Sequence, residues 1–156
     1  MSEITFLASS KPFILPDEIE EYNNRTFFES EEDFKMRLWV SEEGANGWNE
    51  LVGGLFTLPY LYEIYGADNQ LFLLYLEKYM EEGEVLELLH FPNQNDYEYY
   101  QRRLMEDPEP IVINVGSLTY QNKNGTYQLN PKKWVEELSH KNYLTEFGVT
   151  TIIKYE

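Results

Sequence analysis

The chain has 156 residues, 42% hydrophobic and 16% aromatic, with 28 acids against 12 bases for a net charge of -16. That length suits one domain around a single core, and 13 Tyr, 9 Phe and 3 Trp exclude a disordered chain despite the acidity. Cysteine is absent, which excludes disulfides, thiolate metal sites and thiol nucleophiles and favours a reducing, cytoplasmic setting.

The opening residues, MSEITFLASSK, lack the basic start and long apolar core of a signal peptide. Residues 3–8 read as a first strand. Residues 16–22 read as one or two turns of helix. Pro16 sits where a missing N–H does no harm, and Asp17 and Glu18 suit the positive helix start. Residues 34–40 alternate, with Phe34, Met36, Leu38 and Val40 on one face, as in a half-buried strand. EEGANGW then turns the chain, with Gly44 and Gly47 able to take positive φ. Residues 58–65 favour strand through their Tyr and Ile content.

Residues 68–82 carry the strongest helix pattern. Asp68 is the expected cap, Leu71, Leu74, Tyr75 and Tyr79 lie near one face, and Gly83 follows the end. Residues 85–91 read as a strand. Residues 96–105 read as a second helix, capped by Asn95 or Asp96 and closed by Pro108 and Pro110. Two β-like runs, 111–120 and 126–129, flank QNKNG, where Asn124-Gly125 signals a hairpin. Asn130-Pro131 opens a third helix to about Ser139. The last strand spans 149–155. Strands and helices mix without a strict βαβ rhythm and without internal repeats. The expected fold is therefore α+β: a single domain, 1–156, with a mostly antiparallel sheet and about three helices.

The catalytic inventory is thin. Gly53-Gly54 lacks the further glycines, the Lys and the following helix of a phosphate loop. His90 and His140 are the only imidazoles, and neither falls in a metal-ligand spacing. No Ser lies in a GxSxG setting. The acidic runs ESEED and EEGE lack the alternation and central Gly of a calcium loop. The sequence therefore points to no cofactor, no metal and no catalytic residue, and to a binding protein rather than an enzyme. The most apolar run, Leu71 to Leu76, is far too short to span a membrane.

The charge is unevenly spread. Residues 1–110 hold 24 acids and 7 bases, and residues 111–156 hold 4 acids and 5 bases. Phosphate must be met by clustered Lys and Arg, so direct nucleic-acid binding and attachment to anionic membranes are excluded. Residues 17–34, DEIEEYNNRTFFESEEDF, contain eight carboxylates and one base. Such a field speeds the capture of a basic partner. Tyrosines interleaved with acids, as in Asp96-Tyr97-Glu98, would anchor the contact.

The first expectation is an acidic inhibitor of the antitoxin type covering a basic protein such as a nuclease. The chain resembles toxin immunity proteins in composition and length. Glu29, Glu31, Glu32 and Asp33 are the expected charge contacts, and Tyr97, Tyr99 and Tyr100 the expected aromatic anchors. A second reading is a small enzyme or small-molecule binder with a Tyr-lined pocket and His90 as polar anchor. A third is a nucleic-acid mimic with carboxylates spaced like phosphates. The oligomeric state is open, although an exposed edge strand near the C-terminus could pair with its twin.

Overall fold

A computed structural model describes residues 4–31, 37–42, 55–91, 97–145 and 147–156. In chain order the elements are β1 (Ile4–Ser9), α1 (Asp17–Asn23), β2 (Trp39–Ser41), β3 (Tyr60–Tyr65), α2 (Gln70–Lys78), β4 (Val85–Phe91), α3 (Tyr97–Glu106), β5 (Ile111–Asn114), β6 (Thr119–Asn122), β7 (Gly125–Gln128), α4 (Trp134–Ser139) and β8 (Val149–Ile153). The fold is α+β. The strands form one sheet in the order β2-β3-β1-β4-β8-β5-β6-β7. Among the described residues every pairing is antiparallel except β5 with β8. A parallel pair needs a long crossover, which β6, β7 and α4 supply. The last strand thereby enters the middle of the sheet, between β4 and β5.

Alternation along the strands builds a core on each face of the sheet. On one face Leu7, Ile64, Leu86, Leu88, Ile113 and Ile152 pack under Ile19 of α1, Phe72 and Leu76 of α2 and Leu138 of α4. On the other, Ile4, Phe6, Leu89 and Phe91 pack under Tyr100 and Leu104 of α3 and under Phe56 and Phe147. The sheet is therefore the middle of three layers.

Local polar chemistry moves several boundaries from those the sequence predicts. Helix α2 is capped by Asn69 rather than Asp68. The Asn69 Oδ1 accepts from the N–H groups of Leu71 and Phe72, while its Nδ2 donates to the Arg37 carbonyl at 3.0 Å. An amide offers both roles and a carboxylate only one. The helix stops at Lys78, short of 82. Gly83 (φ 86) then turns the chain, and its N–H donates to the Lys154 carbonyl.

The run 111–120 is two strands rather than one. The Asn114 Oδ1 accepts from the N–H groups of Gly116, Ser117 and Tyr155 and folds the chain back between β5 and β6. A Cβ on Gly116 would lie 2.5 Å from the Tyr155 carbonyl oxygen, so only glycine fits there. The hairpin at Asn124-Gly125 forms, with Lys123 and Asn124 as loop residues and Gly125 (φ 150) opening β7. Helix α4 begins at Trp134, because Asn130 first closes a turn: its Oδ1 accepts from Lys132 N–H and its carbonyl from Lys133 N–H.

Within the expected run 34–40, strand β2 begins at Trp39, after Arg37 and Leu38. Phe34 and Met36 lie outside the described residues, as do Gly44, Gly47, Gly53, Gly54, Asn95 and Asp96.

Candidate protein-binding surface

Helix α1 is amphipathic in the simplest way. Ile19 is fully buried, while Asp17, Glu18, Glu20 and Glu21 are exposed. Its charges lie at the positive end of the helix, where carboxylates are stabilised. Glu18 is held from α2: Tyr79 donates its hydroxyl to Oε2, and Lys78 Nζ lies 3.7 Å from Oε1. That hydrogen bond is the main reason the Tyr79 hydroxyl titrates above its usual range. Beyond the helix, the Arg25 guanidinium lies over the rings of Tyr22 (4.7 Å) and Phe28 (5.2 Å). The one base of this stretch is thus stacked on aromatic faces.

Two large apolar side chains stand out among these acids. Ile14 is 75% exposed and Phe27 is 72% exposed. Ile14 lines a cleft of about 660 Å³, whose walls also include Phe13, Glu20, Asn24 and Trp39. Trp39 and Tyr65, cross-strand neighbours on β2 and β3, pack at 5.1 Å, with the Arg37 guanidinium 4.8 Å above the indole. Tyr65 in turn donates its hydroxyl to Glu63 at 2.8 Å. This part of the molecule therefore combines carboxylates, exposed apolar groups and a concave wall.

The expected contact residues are split. Glu29 and Glu31 are exposed in the segment that follows α1. Glu32 and Asp33 lie outside the described residues. Tyr97 begins α3, and the described side chains do not include its own. Tyr99 is 52% exposed, with its ring edge-on to Phe147. Tyr100 is only 2% exposed; its ring lies 4.3 Å from Phe91 and its hydroxyl donates to the His90 carbonyl. Tyr100 therefore fastens α3 to the sheet and is closed to a partner. Helices α1 and α3 cover opposite faces of the sheet, so the acids and the tyrosines do not form one patch. Sequence reasoning missed Ile14, Phe27 and Trp39. Ile14 sits in PFILP, where prolines on both sides suppress any periodicity that would have marked an outward residue.

The buried carboxylates are occupied with holding the fold. Glu84, 4% exposed, accepts the Tyr75 hydroxyl at 2.9 Å and pairs with Lys11 Nζ at 3.0 Å. Lys11 also reaches Glu81 at 3.0 Å. Hydrogen bonding to Glu84, then to Glu81, holds the Lys11 ammonium above its usual range. Burial, then the Glu84 charge, pushes the Tyr75 phenol well above its own. Glu87 accepts from the Thr57 N–H and hydroxyl and from the Leu58 N–H, at 2.9, 3.1 and 3.2 Å. It thereby pins residues 57–58 onto β4.

His90 and Thr5 are hydrogen-bonded cross-strand neighbours, Nδ1 to Oγ1 at 2.9 Å. They line a cavity of about 290 Å³ together with Glu63, Tyr65, Asp68 and Asn142. His140 is exposed at the C-terminal end of α4. Among the described residues no His, Asp and Glu side chains group so as to hold a metal ion, and no helix is long and apolar enough to cross a membrane. Comparison with protein-family models, with curated proteins and with solved structures found no match.

Proposed function

We propose that this chain is an acidic protein-binding module of the cytoplasm, an inhibitor of the immunity or antitoxin type that covers a basic partner such as a nuclease. One observation carries the reading: Ile14 and Phe27 are exposed among the exposed carboxylates Asp17, Glu20, Glu21, Glu29 and Glu31. An acidic coat that only solubilises has no use for large exposed apolar side chains in the same stretch of chain. An interface needs both, acids to draw the partner in and apolar groups to keep it. The same charge repels nucleic acid, so a nuclease would be blocked through its own basic surface.

The test is capture of a basic protein by the tagged chain, followed by association kinetics across a salt series. Steep slowing of association with salt supports the reading, because steering is screened over about 10 Å at 0.1 M salt. An association rate indifferent to salt removes it.

A second reading rests on the cavity at His90. Its volume sits at the small end of ligand sites, and Thr5 holds the half-buried imidazole through Nδ1. It would suit a small polar ligand. A ligand screen followed by His90 chemical-shift changes tests it, and an unmoved imidazole resonance discards it.

A further inference from the structure

The eight-stranded order ends at β7, and all four residues of that strand are exposed. Its phase is fixed by its pairing with β6. Tyr120 faces Tyr127, Asn122 faces Gly125, and Leu129 N–H donates to the Leu118 carbonyl at 2.7 Å. In an antiparallel ladder the hydrogen-bonded pairs alternate. Gly125, Tyr127 and Leu129 therefore direct their backbone groups at β6 and its lead-in, and Thr126 and Gln128 direct theirs outward. Among the described residues no strand takes them up.

Edge strands are normally guarded by Lys, Pro or a bulge. Residues 125–129, GTYQL, contain neither Lys nor Pro nor any charge. The end of α1 is tied to the β2 edge, where the Asn23 side chain holds the residue preceding β2, while Tyr22 of α1 lines a cavity with Pro131 and Trp134, just past β7. Seven strand spacings, roughly 30 Å, separate the two edges. The sequence from 111 onward is close to neutral, with 4 acids and 5 bases. The β7 edge itself carries no charge, and Glu109, an acid that reaches the hairpin loop, is paired with Lys123, so two copies of a chain of charge -16 meet there with little direct repulsion.

We infer that two copies of this chain pair antiparallel through β7, in a two-fold arrangement centred on Tyr127. Thr126 then faces Gln128 of the second copy. Each such pair exchanges N–H···O=C bonds in both directions, and the two-fold axis makes two pairs. The outward groups of one edge satisfy those of the other with no residue left over. Tyr127 meets its own copy across the axis. It is 47% exposed and its ring lies 6.5 Å from Tyr120, so pairing extends that contact into a row of four tyrosines. Aromatic cross-strand pairs are among the stabilising ones. The inference is independent of the partner proposed above.

The experiment is sedimentation of the full chain from micromolar to millimolar concentration, at low and at raised salt. A reversible shift to twice the 18.6 kDa monomer mass, strengthened by salt as the like charges are screened, is expected. Thr126→Pro removes one outward donor and no bond to β6, and Tyr127→Lys sets two charges face to face; each should abolish the shift. Circular dichroism checks that each variant is folded, and if Thr126→Pro is not, Tyr127→Lys decides. A wild-type chain that stays monomeric throughout overturns the inference. So does a dimer that survives in the folded variants, since its interface would lie elsewhere.

Discussion

The Asn23 side chain is bonded to both backbone groups of Leu38: its Oδ1 accepts from the Leu38 N–H at 3.0 Å and its Nδ2 donates to the Leu38 carbonyl. One amide side chain thus does for Leu38 what a neighbouring strand would do, and it ties the end of α1 to the lead-in of β2. Leu38 itself is fully buried, so without Asn23 its peptide groups would lose their partner in a dry setting. Asn23→Ala should cost about 1–3 kcal/mol, the range for orphaning buried polar groups. Denaturant titration measures it. Asn24→Ala, on an exposed neighbour, serves as the control and should be near neutral.

Glu87→Ala would leave the Thr57 and Leu58 N–H groups without their acceptor. A stability loss of about 1–3 kcal/mol is expected, together with a local signature. The amide protons of Thr57 and Leu58 should exchange much faster in the variant, while those of β1 and β4 keep their order of protection. Unchanged exchange at Thr57 would mean that Glu87 does not hold this segment.

Lys11 and Tyr75 both meet Glu84, and both have pKa values raised by folding. A raised pKa means that the native state keeps its proton longer than the unfolded chain. The stability these groups contribute is present below the unfolded values, about 10 for both types, and is lost as pH rises through the folded ones. Tyr143, buried with its hydroxyl donating to the Ala67 carbonyl, acts in the same sense. The protein should therefore unfold in alkali. Tyrosinate absorbance from the buried phenols should appear together with loss of circular dichroism. Titration of every tyrosine in a folded chain would contradict the burial of Tyr75 and Tyr143.

If the acidic surface binds a basic partner, its charged and apolar residues should affect different rates. Replacing Glu29 and Glu31 with Ser removes two exposed charges and should slow association by a fewfold at low salt, leaving dissociation nearly unchanged. Phe27→Ala should speed dissociation instead, by roughly tenfold if it costs about 1.4 kcal/mol of contact. Surface plasmon resonance at two salt concentrations separates the two effects. A partner indifferent to both changes would bind elsewhere on the chain.

Much of the architecture follows from the order of residues alone. The β-like run EITFLA, the helical pattern of residues 68–82, the punctuation by Asn124-Gly125 and the Pro16-Asp17-Glu18 helix start are local signals, and β1, α2, the β6–β7 hairpin and α1 formed where those signals lie, although on α2 the sheet buries Phe72, Leu73 and Leu76 more than the expected Leu74 and Tyr79. The acidity and the lack of cysteine are likewise properties of composition. Other features depend on groups far apart in the chain. The Asn114 side chain gathers N–H groups from Gly116, Ser117 and Tyr155, and so breaks a run whose alternation reads as one strand. Asn69 prevails over Asp68 as a cap because the Arg37 carbonyl needs a donor. Helical spacing separates Tyr100 from Tyr99, yet only packing against Phe91 and the bond to the His90 carbonyl decide that Tyr100 is the buried one. Exposure is a relation between a side chain and whatever covers it. Composition therefore determined that this protein carries a strong negative field, and only the tertiary structure decided that Ile14 and Phe27 stay exposed and that α3 covers the face of the sheet opposite to α1.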